Sequence, residues 1–330
     1  MTTSVAGQLT DVARAAAHRQ LASQRCEACG RDETVLADRP DGVVVRHGQA
    51  VAKAHADDTD PADHRARLAV AAHPLLAGIL LPPLPPLPPP FPPSSPAGTE
   101  AVRGRLVTAW PYGTPVDPDD PDAAPWEQAG VLIARLHSVP PAALPGPLPA
   151  MRGPAKAARA VARMRAAGHH PAAAPVESAW ALLPGWARDE TPTDGPVALC
   201  HGDLHLGQLV RHPAEGPWLL IDVDDLGIGA PAWDLGRPAA WYAAGLLSAD
   251  VWHRFLGAYR TAGGPAVPAA GDPWPQLDVA ARALTVQGAA LAVVRATAEG
   301  RQLDEVEQLM IDSCARISAL ATDLRSAASS

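Results

Sequence analysis

Apolar and polar positions follow different periods in the two parts of the chain, and the first part is rich in strand patterns. Residues 9–24 carry a helical pattern. Val43 to Arg46 and Ala50 to Ala54 alternate as two strands around a turn at His47-Gly48, which predicts a β-hairpin. Pro61 to Ala72 follows an acidic stretch and predicts another helix.

A proline-rich segment, LLPPLPPLPPPFPPSSPAG, then interrupts every regular pattern. Its prolines lack backbone donors and favour polyproline II, so we expect an exposed, stiff loop over residues 82–96. Binding of an SH3-like partner is the alternative use of such a tract. The following GRLVTAWPYG predicts a strand that runs into a turn at Pro111 and Gly113.

The remaining two thirds are mainly helical, for instance where Trp126, Ala129, Ile133 and Leu136 recur at helical spacing. One strand–loop–strand unit at 196–222 interrupts the helices. The pattern predicts an α+β protein with two lobes around a cleft. We expect a small β-rich N-terminal lobe over residues 1–112 and a larger, mainly helical C-terminal lobe over residues 113–330.

Composition and charge narrow the class of protein. Of the 330 residues 47% are hydrophobic, which is enough for two packed lobes. The formal net charge of −8 gives no electrostatic reason to expect a nucleic-acid partner. No run of eighteen apolar residues occurs, and the first residues lack a basic-then-apolar signal pattern. We therefore expect a cytoplasmic protein without a membrane partner.

The four cysteines fit a reducing compartment. Cys200 and Cys314 lie in apolar patterns and are interpreted as buried thiols. Cys26 and Cys29 form a lone C-x-x-C, and a zinc knuckle needs two more ligands. Because no second C-x-x-C or H-x-x-x-H follows, the pattern favours thiols without a metal or redox role, with such a role as the alternative.

Carboxylates follow two apolar runs in the strand–loop–strand unit. The run 197–200 ends in His201-Gly202-Asp203, and the run 218–221 ends in Asp222-Val223-Asp224-Asp225. If the two strands are neighbours, these carboxylates lie close together, and such a cluster persists where a cation neutralises it. With the amide oxygen of Gln208, the set suits Mg²⁺ bound to phosphates. The sequence thus predicts a magnesium–nucleotide site, with a solvated acidic loop as the alternative.

The same residues resemble a known family. His201-Gly202-Asp203, followed by four residues and Gln208, resembles the catalytic loop of the kinase-like fold, in the form typical of the aminoglycoside phosphotransferase and choline kinase superfamily. The string HGDLHLGQ most resembles the maltokinase and glucosamine kinase branch. LIARLH and PAWDL are further family-like landmarks. The resemblance covers roughly residues 34 to 250 and implies a two-lobed protein-kinase-like fold.

The resemblance implies a role for each matching residue. Asp203 would be the catalytic carboxylate, which accepts the proton of the acceptor hydroxyl or orients that hydroxyl. Gln208 and Asp222 would hold the Mg²⁺ that bridges the phosphates of ATP, with Asp224 as a further ligand. Lys53, on the second hairpin strand, would contact those phosphates; its alternative is an ordinary exposed lysine.

Further residues are expected around the nucleotide and the acceptor. Trp110 to Gly113, with Trp110 and Tyr112 as candidate nucleotide contacts, would form a hinge whose backbone meets adenine. Asp225 would contact the acceptor. Trp233 would offer a ring on which a sugar stacks, with core packing as the alternative.

Three departures from the family pattern concern the lysine and the acceptor. No G-x-G-x-x-G precedes Lys53. No glutamate occurs between Lys53 and Glu100, so the usual lysine-pairing glutamate is missing, and Asp63 or His64 takes its register. Ala230 stands where relatives often carry an aspartate.

Acidic residues also indicate an acceptor class. They follow the hinge and the second carboxylate loop: Asp117, Asp119, Asp120, Asp122, Glu127, Asp224 and Asp225. They would attract a cation, so we expect a kinase for a glucosamine-like amino sugar or an aminoglycoside. The acids at the hinge would otherwise cap a helix or face water. A neutral-sugar kinase, a non-catalytic nucleotide-binding module and a C-x-x-C metal-binding regulator are the alternatives.

Overall fold

The structure is a computed structural model of the 330-residue chain. It describes residues 4–20, 26, 28–29, 34–39, 41–86, 100–102 and 104–328. The chain forms two compact units. The first unit comprises Met1–Pro121, Leu144–Pro149 and Gly207–Asp224, and the second comprises Asp122–Ala143, Ala150–Leu206 and Asp225–Ser330. The boundary after residue 112 stays a prediction.

The first unit contains a five-stranded antiparallel sheet in the order β1-β2-β3-β5-β4. Its strands are β1 (Thr34–Arg39), β2 (Gly42–His47), β3 (Ala50–Ala54), β4 (Glu100–Val102) and β5 (Arg105–Pro111). The predicted hairpin is β2–β3; its turn lies at Gly48-Gln49, one residue later than predicted, because His47 still pairs with Ala50. Strand β1 was not predicted, because nearly all its side chains are exposed and it has no apolar alternation.

The first unit also contains two helices, of which α1 precedes the strands of this sheet and α2 lies between β3 and β4 in sequence. Helix α1 (Val5–Gln20) packs Leu9 and Val12 with Val43 and Val45 of β2 in one apolar cluster. It begins four residues before the predicted start, and the predicted end lies outside the described residues. Helix α2 (Pro61–Ala71) matches its prediction. The side chain of Asp60 caps it by accepting two backbone N–H bonds.

A small three-stranded sheet completes the first unit. Strands β6 (Thr114–Pro115), β8 (Leu209–Arg211) and β9 (Trp218–Leu220) pair antiparallel in the order β6-β8-β9. Gln208 directly precedes β8, and Asp222 follows β9 after one residue. The β8–β9 pair therefore places the two residues at the same end of the small sheet.

The second unit contains the strand pair β7 (Ala198–Cys200) and β10 (Gly227–Gly229) and a set of helices. These are α3 (Trp126–His137), α4 (Gly153–Ala166), α5 (Ala173–Ala181), α6 (Ala232–Ala244), α7 (Ala249–Thr261), α8 (Trp274–Glu299) and α9 (Glu305–Ala328). The expectation that the two carboxylate-bearing strands are neighbours is wrong. Strand β7 pairs with β10, whereas β9 pairs with β8. The reason is that the chain forms β8 directly after the loop at 201–208, and β8 then serves as the partner of β9.

Helix α8 is the only helix among the described residues that is long and apolar enough to cross a membrane. Of its most apolar stretch, 67% is buried inside the protein. Four of its alanines, together with Leu284, Val286 and Val293, belong to the main apolar cluster of the second unit, as expected for a core helix.

Candidate active site

The first unit encloses a cavity of about 380 Å³, within the size range of small-molecule sites. Most of its wall is apolar, and several polar side chains, His55 among them, line it. The apolar lining includes Val44, Val51, Leu81, Val210 and Ile221, and the polar lining includes Lys53, Gln208, Asp222 and Asp224. The cavity therefore combines an apolar wall, which suits a flat ring, with polar side chains, which suit a charged group of the same ligand.

Lys53 bridges two of the predicted carboxylates. Its Nζ lies 2.6 Å from Oδ1 of Asp222 and 2.9 Å from Oδ2 of Asp224. Burial alone would lower the pKa of Lys53, but the two carboxylates outweigh it and raise the pKa above its usual value. Lys53 therefore stays charged, and it is not the ordinary exposed lysine that the sequence left as an alternative.

A hydrogen-bond chain through His55 also holds Asp224. His55 donates from Nδ1 to Asp224, at 2.9 Å to Oδ1, and its Nε2 accepts from the hydroxyl of Thr108 at 2.7 Å. Nε1 of Trp110 donates to the same Thr108 oxygen at 2.9 Å. Asp224 is thus held by Lys53 and His55 together, and Trp110 supports this network besides lining the cavity.

Asp224 takes the place of the missing glutamate as a partner of Lys53. Asp63 on α2, the predicted substitute, lies 3.8 Å from Arg67. His64 packs its ring against His55, with 4.1 Å between centroids. The carboxylate partners of Lys53 instead come from the loop after β9.

The oxygen donors at the cavity fit a magnesium ion. Asp222 and Gln208 offer carboxylate and amide oxygens, the ligand type that Mg²⁺ prefers. Asp222 has φ of 63°, a left-handed conformation that non-glycine residues adopt at some cost, often at functional positions. Both oxygens of Asp224 already face His55 or Lys53. Asp222 and Gln208 are therefore the better candidate ligands, and Asp224 is better described as a partner of Lys53.

The predicted hinge residues Trp110 and Tyr112 also line the cavity. The N–H of Tyr112 donates to the carbonyl of Gln49 at 2.8 Å, and its carbonyl accepts from Nδ1 of His212 at 3.0 Å. The guanidinium of Arg46 lies 3.4 Å from the centre of the Tyr112 ring. Both backbone groups of Tyr112 thus have partners within the protein, and its side chain contributes to the wall of the cavity. The contact of the 110–113 backbone with adenine stays a prediction.

Asp203 lies in the second unit, between two basic side chains. One of its oxygens is 2.8 Å from Nζ of Lys156, and the other is 2.6 Å from Arg237. Burial would raise the pKa of Asp203, but Lys156 and Arg237 outweigh it and hold the pKa well below its usual value. A carboxylate with such a low pKa is a weak proton acceptor, so of the two predicted roles its charge favours orienting a hydroxyl over taking the proton of that hydroxyl.

Asp234 anchors the loop that carries Asp203. Its carboxylate accepts the backbone N–H of His201 at 2.6 Å and of Gly202 at 2.7 Å, and the Nε2–H of His137 at 3.0 Å. Asp234 is almost fully buried. His137 is the last residue of LIARLH, and Asp234 lies in PAWDL. The two landmarks therefore hold the loop in place, because all three bonds meet at one buried carboxylate.

The position of Gly202 has no room for a side chain. It has φ of +86°, and a Cβ there would lie 2.5 Å from the carbonyl oxygen of Asp225. Gly202→Ala should destabilise the protein by more than the ~1–2 kcal/mol that a left-handed conformation costs an L residue. Gly245→Ala is the matched control, since Gly245 has φ of +79° and open space. Chemical unfolding of both variants measures the difference, and equal losses would show that the Asp225 carbonyl imposes no constraint.

Two predicted acceptor contacts have other roles in the second unit. Trp233 is only 1% exposed and packs in the main apolar cluster, where it leaves no room for a side chain on Gly153. It is a core residue, and the expected stacking with a sugar gives way to packing. Asp225 is buried and lies 2.7 Å from Nζ of Lys156 and 3.9 Å from Arg152, so its charge is neutralised within the protein.

The structure adds residues that the sequence gave no reason to select. Lys156 and Arg237 come from α4 and α6, distant in sequence from the loop, and no motif marks them. His55 directly follows β3, and Thr108 lies on the adjacent strand β5; a strand pattern does not reveal the hydrogen bond between them. For His55 the one available signal was its position two residues after Lys53, a spacing that places both side chains on the same side of an extended chain.

The predicted site residues thus fall into two sets. Six of them, Lys53, Trp110, Tyr112, Gln208, Asp222 and Asp224, line the cavity of the first unit. Asp203, Asp225 and Trp233 belong to the second unit. The antiparallel sheet that carries Lys53, the mainly helical second unit and this set of carboxylates define a kinase-like protein. The predicted α+β kinase-like fold is confirmed.

Within that class, residues 33–274 match the model of the phosphotransferase enzyme family, APH, so the chain belongs to this family. It is a small-molecule phosphotransferase that acts on a hydroxyl group. No curated protein is similar enough to count as a relative.

Several solved structures share the fold at low sequence identity. A choline/ethanolamine kinase family protein from Mesorhizobium loti is 20% identical, with a TM-score of 0.50 and 94% of each chain covered. Aminoglycoside phosphotransferase APH(3'')-Id from Streptomyces rimosus is 18% identical, with a TM-score of 0.51, covering 82% of this chain and 97% of its own. A microcompartment-associated aminopropanol kinase is 16% identical, with a TM-score of 0.54, covering 94% and 97%. These likenesses concern the fold alone.

Proposed function

We propose that this protein is an ATP- and Mg²⁺-dependent kinase that phosphorylates a hydroxyl of a sugar-like small molecule. The observation that carries the proposal is the cavity of the first unit, where an apolar wall ends in Lys53, Asp222 and Gln208. This arrangement suits adenine along the wall and a triphosphate at the polar end. A cytoplasmic location, where ATP is available, is part of the proposal.

Each polar residue has a defined part in this function. Asp222 and Gln208 hold the magnesium ion, which neutralises phosphate charge when it is bound. Lys53 is positioned by Asp224 and His55 and offers its ammonium to the phosphates. Asp203 orients the acceptor hydroxyl for in-line attack on the γ-phosphorus. Lys156 and Arg237 hold the two oxygens of Asp203 in place.

The charges around Asp203 bear on the acceptor. The described side chains include three basic ones, Arg152, Lys156 and Arg237, which face Asp203 and Asp225. Burial lowers the pKa of nearby His205 to about 4, so it adds no charge near neutral pH. The local balance does not attract a cation, and we therefore propose a neutral sugar as acceptor, in keeping with the maltokinase-like string HGDLHLGQ.

An amino sugar or aminoglycoside is the second candidate, because Asp117, Asp119, Asp120 and Asp122 are exposed after the hinge. Its support is weaker than the sequence suggested. Asp117 accepts the backbone N–H of Asp119 at 2.9 Å. Glu127 pairs with Arg254 at 3.1 Å.

A screen for ATP consumption tests both candidates. Neutral sugars, amino sugars, aminoglycosides and choline are offered with Mg–ATP, and the product masses are read directly. We expect one phosphoryl group added to a neutral sugar, with turnover that stops when Mg²⁺ is chelated. Turnover of amino sugars alone would replace the first candidate with the second. Tight Mg–ATP binding with no acceptor phosphorylated would favour a non-catalytic nucleotide-binding module.

A further inference from the structure

The first unit contains a second cluster of ligand-type side chains that phosphoryl transfer does not use. His18 lies in the last turn of α1, His47 ends β2, and Cys26 and Cys29 come from the segment that follows α1. One ligand atom from each of the four side chains lies within 4.8 Å of every other. The C-x-x-C motif that the sequence left with too few ligands therefore has two histidines beside it.

The distances agree with a tetrahedral metal site. Nε2 of His47 is 3.6 Å from Sγ of Cys26 and 3.8 Å from Sγ of Cys29, and Nε2 of His18 is 3.0 Å from Sγ of Cys29. A tetrahedron with Zn–S bonds of ~2.3 Å and Zn–N bonds of ~2.0–2.1 Å has ligand–ligand edges of about 3.4–3.8 Å. Two of the three distances match these edges, and the third needs only a small outward shift of His18, which is exposed.

The surrounding packing holds the four ligands together. The Cβ of Ala28, between the two cysteines, would lie 3.4 Å from a Cβ at Gly48, which directly follows His47. The cysteine segment therefore lies against the β2–β3 turn. His47 is only 4% exposed, so its ring has a fixed orientation at the end of the strand. The site is thus built on a strand end, a helix end and a packed turn.

We propose that His18, Cys26, Cys29 and His47 bind one structural zinc ion. Two thiolates with two imidazoles form a Cys₂His₂ set, which selects Zn²⁺ over Mg²⁺, an ion that requires oxygen ligands. All four protein ligands are present, and this is typical of a structural site, since catalytic zinc keeps a position open.

The ion joins α1 to the sheet at a place where the apolar contact between them is made by small side chains. The second half of α1 contacts the sheet through Ala16 and Ala17 against Ala50, and methyl groups bury little area. A zinc ion at His18 fastens this end of the helix to the end of β2 through His47. The four ligands come together in this geometry only in the folded protein. Zinc binding therefore favours the folded state and stabilises the first unit. The proposal does not depend on the phosphoryl-transfer function.

Metal analysis of the purified, reduced full-length protein tests the site. We expect one zinc per chain by elemental analysis. After removal of zinc, Co²⁺ should give the visible absorption of a tetrahedral ion and a thiolate-to-cobalt charge-transfer band. The double variant Cys26→Ser/Cys29→Ser should lose the zinc and both signals, and zinc should raise the unfolding temperature of the wild-type protein but not that of the variant.

Two single variants guard against a variant that fails to fold. His18→Gln changes an exposed residue and should weaken zinc binding at least tenfold while the secondary structure, measured by circular dichroism, is kept. His169→Gln, at another exposed histidine, should retain full zinc content. The proposal is overturned by reduced protein that binds neither Zn²⁺ nor Co²⁺, by an octahedral cobalt spectrum, or by equal zinc content in His18→Gln and wild type.

Discussion

Asp203→Asn should lower kcat by about 10²-fold or more, through loss of the orientation of the hydroxyl, and leave the affinity for Mg–ATP near that of the wild type. The physical reason is that Asp203 is anionic at any working pH. Lys156 and Arg237 keep the pKa of Asp203 below its usual value of about 4, so the carboxylate is present to accept the hydroxyl hydrogen bond. Asparagine keeps the shape but loses the charge and offers an N–H to Lys156 and Arg237. Steady-state kinetics and nucleotide titration measure the two effects separately.

A loss of folding would confound this result, because the variant leaves Arg237 without its partner carboxylate. Lys156 keeps Asp225 at 2.7 Å, which limits the damage. The unfolding temperature of Asp203→Asn should therefore be measured beside its kcat. Asp194→Asn, at an exposed aspartate of the same unit, is the matched control and should retain activity. An Asp203→Asn protein that phosphorylates the acceptor at the original rate would remove Asp203 from the site.

Asp222→Asn should weaken Mg²⁺-dependent ATP binding by at least about tenfold, since even a supporting residue of a metal ligand typically contributes ~10–100-fold. Asparagine still tolerates the left-handed conformation at this position, with φ of 63°, so the backbone has no cause to move. It loses the negative charge that a magnesium ion requires and one of the two carboxylates beside Lys53. Calorimetric titration with ATP, in Mg²⁺ and in chelator, measures the effect.

The chelator arm of this experiment distinguishes loss of a ligand from loss of the cavity. If Asp222 binds the ion, the variant and the wild type should bind ATP alike without Mg²⁺ and differ only when it is present. Asp38→Asn, at an exposed position of β1 in the same unit, should behave as wild type in both conditions. Identical Mg²⁺-dependent binding by Asp222→Asn would assign the metal to other oxygens.

Local sequence patterns were sufficient for the elements that carry the site. The β2–β3 hairpin and the helices α2 and α3 each depend on short-range spacing, and these elements were predicted correctly. The match of the loop at 201–208 to a catalytic loop was also sufficient to identify the class of protein, which the family model bears out.

The pairing of strands and side chains that are far apart in sequence could not be predicted from local patterns. The sequence placed the strands before Asp203 and Asp222 side by side, although each pairs with a different strand. Nothing local indicates that Asp224 replaces a helical glutamate as the partner of Lys53, or that His18 and His47 approach the C-x-x-C motif. Such contacts depend on how strands and helices pack, and the residues involved carry no shared spacing along the chain.

The first unit is built from stretches of the chain that are far apart in sequence, and this limits how chimeric kinases can be constructed. Lys53 lies in the opening stretch of the first unit, whereas Gln208 and Asp222 reach that unit through the returning stretch 207–224. A hybrid that takes only its N-terminal third from another kinase would combine a foreign lysine strand with the native carboxylates. Functional chimeras should therefore exchange both stretches together, as a matched pair.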